Sequence, residues 1–469
     1  MPSASPRSRR AANPLKVVVA AGLAGAVVLA AAFVWLSALG NRSSARAGVP
    51  GTVVVREPVV SARRTPGVLS FVTRTSKVRA ALASTVARLP ADSCLDVHWL
   101  GAEMASVRAG TAYVPGSAVK LVTAGVALEV LGPDARFTTS VRATRNPDGS
   151  VADLYVVGGG DPLLVRSEYV ATERLRTFNA TTLESLADAV VGAGVTRITG
   201  RVVGVDTYFD AERWVKDWPV GFRFVEAGPL GALMANDGAV VGQALKPDDP
   251  ALAAATEIVS LLAARGVSAG AGVAHEALPQ GTEEITSVRS APLADVLEEM
   301  LVNSDNNTAE IILKHIGLKA GGTGSTAAGL EAVADHLKKW GGGADAVVTD
   351  GSGLSSSNRI PCATFRVLLD RFRSTMPGLL AVAGETGTLE TVFTDSAVRG
   401  VMQAKTGTLS GVKALVGYLP VEGDDPVRFS LLMNRQGIDN KSAYRPVWNS
   451  LADSVSRASG TPRPEDLAP

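Results

Sequence analysis

The sequence predicts an α/β (α+β) fold: an antiparallel sheet with helices that carries a smaller α+β insert and follows a transmembrane helix. Three observations carry that reading. Residues 118–128 are apolar at almost every position, and a helix apolar on all sides belongs inside a large core. Short alternating segments stand both before that helix and near the end of the chain, so the sheet draws on distant parts of the sequence. Residues 17–39 run for 23 positions without a charge, enough for the roughly 20 residues that span a bilayer.

In chain order, residues 1–16 are polar and carry Arg7, Arg9, Arg10 and Lys16. Positive charge ahead of the apolar run makes 1–16 a cytoplasmic tail and 17–39 an anchor, with everything later outside the membrane. The competing reading is a cleaved signal peptide, for which Ala45-Arg46-Ala47 offers a site. The apolar run exceeds the roughly 7–15 residues of such a segment, which favours a retained anchor. Residues 40–75 mix Pro, Gly, Ser and Arg and read as a linker.

A helix is expected over 76–89, capped by Ser76, with Val78, Ala81, Leu82 and Val86 on one face. A hairpin over 94–109 and the buried helix after Pro115-Gly116 follow. Strands at 138–143, 153–157 and 202–206 and helices at 182–194 and 251–266 form an inserted domain over 141–287. The main domain therefore reads as two stretches, 76–140 and 288–458. Its second stretch has helices at 292–302, 308–316, 325–340, 361–376 and 441–458. Its closing strands fall at 398–404, 414–419 and 427–434. Residues 459–469 are a Pro-rich tail.

Composition narrows the function classes. A net charge of +1 with 19% charged residues gives no basic field for nucleic acid. His98, His275, His315 and His336 are scattered, and two cysteines cannot build a cysteine-rich centre, so neither metal nor cofactor is expected. Gly158-Gly159-Gly160-Asp161-Pro162 lacks the Gly-Lys-Ser/Thr continuation of a nucleotide loop. Cys94 and Cys362 flank the insert. Outside the membrane an even number of cysteines suits a bridge between the two stretches of the main domain, the alternative being two buried thiols.

The chemistry concentrates in three short motifs. Ser117 and Lys120 are three residues apart at the mouth of the apolar helix, hence one turn apart on one face. A desolvated lysine amine can take a serine proton, so the pair is a candidate nucleophile and base. Ser304-Asp305-Asn306 stands between two amphipathic helical runs, and Lys405-Thr406-Gly407-Thr408 stands between strand-like segments. S-x-x-K, S-x-N and K-T-G in this order resemble the penicillin-binding and serine β-lactamase group. Gly351-Ser352-Gly353 lacks the strand-to-helix context of a nucleophile elbow, and Ser352 reads as a loop residue.

Ser117-Ala118-Val119-Lys120, Gly132-Pro133-Asp134, Gly158-Gly159-Gly160-Asp161-Pro162, Ser304-Asp305-Asn306, Asp350-Gly351-Ser352-Gly353-Leu354-Ser355 and Lys405-Thr406-Gly407-Thr408-Leu409 together resemble one family. It is the class C low-molecular-mass penicillin-binding proteins, D-alanyl-D-alanine carboxypeptidase/endopeptidases of peptidase family S13. The resemblance spans roughly 76–455. It implies a serine DD-peptidase/β-lactamase-like transpeptidase domain split by an insert that usually has two subdomains. The 141–287 stretch is short for both.

The resemblance further implies acyl transfer on peptidoglycan peptides ending in D-Ala-D-Ala, and reaction with β-lactam antibiotics. Ser117 would attack and Lys120 would act as its base. Ser304 would relay the proton, and Asn306 would bind substrate and Lys120. Lys405 and Thr406 would hold the terminal carboxylate, next to Gly407. The backbone N–H groups of Ser117 and Thr408 would form an oxyanion hole. A serine β-lactamase is disfavoured by the absence of E-x-x-x-N between Ser304 and Lys405 and by the insert. Complete motifs argue against an inactive wall-binding protein.

Overall fold

A computed structural model describes residues 67–422 and 424–459. The expected tail at 1–16, the anchor at 17–39, most of the linker and residues 460–469 lie outside the described residues. Among the described residues no helix is long and apolar enough to cross a membrane.

The first helix, α1, is Gly67–Val86, nine residues earlier than the Ser76 cap predicted. Its buried face runs Thr75, Val78, Leu82 and Thr85, so the helical period already includes residues assigned to the linker. Thr75 returns its hydroxyl to Val72 O, a bond that lets a polar residue sit mid-helix. Strands β1 (Ser93–Trp99) and β2 (Ala102–Val107) form the expected hairpin. A one-turn 3-10 segment, Gly116–Ala118, runs into the buried helix α2, Val119–Val130.

A second sheet follows, from β3 (Thr138–Arg145), β4 (Ser150–Val157), β5 (Val202–Val205), β6 (Val273–His275) and β7 (Glu283–Arg289). Its order is β6-β5-β4-β3-β7; the two pairs on the β6 side are parallel and the others antiparallel. Helices α3 (Leu183–Gly192) and α4 (Pro250–Ala263) share a core with it. Asp249 caps α4 by accepting from Ala251 N and Leu252 N, with Pro250 at the first helical turn. An irregular arm between β5 and α4 carries Phe209, Trp218 and Leu230 into a separate small core.

Helices α5 (Leu293–Asn303), α6 (Asn306–Gly321), α7 (Thr326–Trp340) and α8 (Cys362–Arg371) then return to the first core. Four strands and a helix close the chain: β8 (Ala381–Val382), β9 (Gln403–Leu409), β10 (Val412–Val421), β11 (Asp424–Asn434) and α9 (Lys441–Ser456). The main sheet is antiparallel throughout, in the order β8-β9-β10-β11-β1-β2. Ala414, Val416 and Tyr418 on β10 face α2 and α5–α8, while Leu415 and Leu419 face α1 and α9. That alternation makes a three-layer main domain in which β10 is buried on both faces.

Other strand and helix boundaries also differ from expectation. The segment 398–404 is turn up to Met402, and the strand is β9, which contains Lys405-Thr406-Gly407 instead of ending before it. Val398 and Met402 are apolar because the turn packs into the core, which imitated strand alternation. Gly407 hid the true strand. A Cβ there would run into Pro115 O, so glycine marks a close approach of two backbones. Helix α8 stops at Arg371, and Met376–Leu379 is a separate 3-10 turn. Cys94 on β1 and Cys362 at the start of α8 are disulfide-bonded, 6.0 Å apart at Cα, joining sheet to helix.

Candidate active site

Three elements bring the three motifs together. Ser117 lies in the 3-10 turn before α2, a step tighter than an N-cap. Gly116 holds φ +54° there, with β9 so close that a Cβ would press on Thr408 N. The incoming chain is pinned by Asn434 of β11, which donates to Val114 O (2.9 Å) and accepts from Val114 N (2.7 Å). The Ser304 loop is a corner without spare residues. Ser304 ends α5 in the left-handed region (φ 67°), and Asp305 begins α6 by accepting from Thr308 N.

A cleft of about 550 Å³ is lined by Ser117, Ser304, Asn306, Thr406 and Thr408, with Glu226 from the arm. Lys120 and Lys405 lie beneath its floor, both fully buried. Lys120 Nζ is 3.3 Å from Ser117 Oγ and donates to Asn306 Oδ1 (2.7 Å) and Ser352 O (2.6 Å). Asn306 in turn donates to Glu226 O at 2.7 Å. Lys405 Nζ donates to Thr406 O at 3.0 Å. Ser117, Ser304, Asn306, Thr406 and Thr408 thus line the cleft, Lys120 lies behind Ser117, and Lys405 and Gly407 belong to the strand β9 that walls it.

Burial pulls Lys120 down to about 8, against the carboxylates of Asp350, Asp305, Glu310 and Glu226, which favour its charge. Lys405 is held well below an ordinary lysine by burial and by the positive charges of Lys120 and Lys413. Asp305 is pushed up to about 6 by burial and by Asp237.

Residues without a motif support this arrangement. Glu310 on α6 is buried and accepts from Gly351 N (3.0 Å) and Ser352 N (2.8 Å), which aims Ser352 O at Lys120. Burial, then Asp350, push Glu310 up to about 8. Asp350 accepts from Gly353 N, Ser355 N, Asn358 Nδ2 and Trp218 Nε1. Gly353 (φ +85°) leaves no room for a Cβ beside Gly116 O, so this loop braces the serine turn. Ser352 is buried with its hydroxyl on Asp350, and its carbonyl is the part that meets the site. No spacing rule flags Glu310. Its face of α6 also carries Asn306, Asn307 and Lys314, so no local contrast in the sequence marks it.

The chain is similar in sequence and in fold to known proteins. The family model described as D-Ala-D-Ala carboxypeptidase 3 (S13) matches residues 95–246 and 230–453. The chain belongs to that family. It is 30% identical over 453 residues to a D-alanyl-D-alanine carboxypeptidase of Actinomadura sp., covering 78% of this chain and 81% of that one. It is 30% identical over 360 residues to a carboxypeptidase of Mycolicibacterium smegmatis, covering 73% and 76%. In fold it matches the crystal structure of penicillin binding protein 4 from Haemophilus influenzae. That match has a TM-score of 0.66 at 19% identity, over 79% of this chain and 99% of that one. The family has a mixed α/β fold, and its members are serine hydrolases.

Proposed function

We propose that this protein is a serine-type D-Ala-D-Ala carboxypeptidase/endopeptidase that hydrolyses peptidoglycan stem peptides through an acyl-enzyme and is acylated by penicillins. The observation that carries the reading is the buried Lys120 amine between Ser117 Oγ and Asn306 Oδ1, behind a cleft walled by β9. Neutral Lys120 takes the Ser117 proton as Oγ attacks the carbonyl of the penultimate D-alanine. The backbone N–H groups of Ser117 and Thr408 hold the oxyanion. Collapse breaks the C–N bond, and the proton passes through Ser304 to the leaving amine. Water then attacks the ester with the same base and frees Ser117. Asn306 orients Lys120 and the substrate amide. Lys405, Thr406 and Thr408 form the end of the cleft that takes the terminal carboxylate.

The split main domain at 76–140 and 288–458, with 141–287 as its insert, belongs to the same reading. Within the insert the larger sheet and its core are accompanied by a two-stranded pair at 164–165 and 181–182 and by the arm's small core, which packs on Ile311 and Leu354 of the main domain. The uncharged 17–39 run behind a positive cluster supports a membrane anchor with an extracytoplasmic catalytic domain. Incubation with a peptide ending in D-Ala-D-Ala tests the activity. The expected result is release of free D-alanine, blocked by penicillin. No release, with penicillin also failing to label the protein, overturns the proposal.

A further inference from the structure

Lys413 is a lysine that no motif accounts for. It sits on β10, directly opposite Thr408 in the antiparallel register. Its Nζ donates to Thr408 Oγ1 at 2.8 Å and lies 4.3 Å from the ring centre of Tyr444 and 5.2 Å from that of Trp448. Among the described residues, the ammonium is thus held by one hydroxyl and two ring faces. Lys413 is only 9% exposed, whereas Thr408 is exposed on the cleft wall.

We propose that Lys413 is a positioning residue for carboxylate selectivity, fixing the Thr408 hydroxyl and bringing positive charge to the β9 end of the cleft. The inference rests on the D-Ala-D-Ala peptidase reading above. A threonine hydroxyl has one hydrogen to donate and two lone pairs to accept with. Lys413 occupies a lone pair, so the hydroxyl hydrogen is left to point at an acceptor in the cleft. The terminal carboxylate of the substrate is such an acceptor, and a bond between charged and polarised groups is stronger than a neutral one. The Tyr444 and Trp448 faces steady the ammonium without cancelling its charge. The charged groups acting on it are Arg445, Asp439, Lys441 and the buried Lys405, one acidic and three basic. Lys405 supports the same end of the cleft from beneath the strand, with its amine on Thr406 O, whereas the Thr408 hydroxyl is held by Lys413.

The test compares an N-acylated peptide ending in free D-Ala-D-Ala with its C-terminal amide, on the full chain. Lys413→Met is expected to lower kcat/KM for the free acid about tenfold or more, mostly through KM, with little change for the amide. Lys413→Arg should restore most of the loss. Thr408→Val should cost activity in the wild type but add little to Lys413→Met, because both remove one contact. Should Lys413→Met not fold, Lys413→Gln carries the same comparison. Equal losses on both substrates, or no loss on either, overturn the proposal while wild-type cleavage still stands. A wild type inert toward both substrates overturns the parent reading and this one with it.

Discussion

Acylation by this enzyme should follow the deprotonation of Lys120. The side chain is fully buried and burial lowers it to about 8, from 10.5 for an ordinary lysine. At pH 7 about one molecule in ten then carries the neutral amine, against roughly one in three thousand for an unshifted lysine. The base form is enriched a few hundredfold, burial outweighing the nearby carboxylates. The sign of the linked stability effect follows. Between pH 8 and 10.5 the unfolded chain binds the proton and the folded chain does not, so stability rises with pH through that window. Below pH 8 the cost is fully present, on the order of 3 kcal/mol.

Lys120→Met removes that cost but leaves Asn306 Oδ1 and Ser352 O without their donor, at about 1–3 kcal/mol each. These offset, so the variant should stay folded, within about 3 kcal/mol of the wild type, and lose acylation. The assay is stopped-flow acylation by a fluorescent penicillin between pH 5 and 10, with urea unfolding of both proteins as the control. The expected profile rises about tenfold per pH unit and levels near pH 8. A flat profile, a midpoint near 10.5, or wild-type rates in folded Lys120→Met would refute the reasoning.

Two further outcomes are expected. Replacing Cys94 and Cys362 together by Ala should cost about 2–5 kcal/mol, because the bridge closes a sequence separation of 268 residues in the unfolded chain. Urea midpoints unchanged by reduction or by the double substitution would contradict this. His275 lies between Asp249 (2.7 Å) and Asp206 (2.8 Å), with Arg213 also on Asp206. Burial lowers its pKa, but the two carboxylates outweigh this and raise it, so its stabilising charge is complete below about 6.5 and is lost as pH rises through the higher folded value. His275→Gln should flatten unfolding midpoints measured across that window, and an unaltered slope would count against the assignment.

How far the sequence was legible varies with the physical signal. The three motifs are readable from their order and from the periodicity of the helices they border, although Ser117 caps no helix and Ser304 ends α5 as a non-glycine residue in the left-handed region. Ser76 reads as an N-cap and starts α1 late; the helix runs through it, with Thr75 buried on its face. Strand β9 was displaced because Gly407 reads as a turn until Pro115 is seen lying against it. Glu310 accepts from backbone N–H groups 41 and 42 residues along the chain, and Trp218 donates to the Asp350 carboxylate 132 residues away; no local pattern records such contacts. Lys413 was invisible for the same reason. Its meaning comes from the register that places it opposite Thr408.

The central claim, that Ser117 is the acylated nucleophile, is tested most directly by peptide mass spectrometry after brief treatment with penicillin. One covalent adduct on the Ser117 peptide is predicted, absent from Ser117→Ala. An adduct on Ser304 or Ser352, or one that survives Ser117→Ala, would contradict the account.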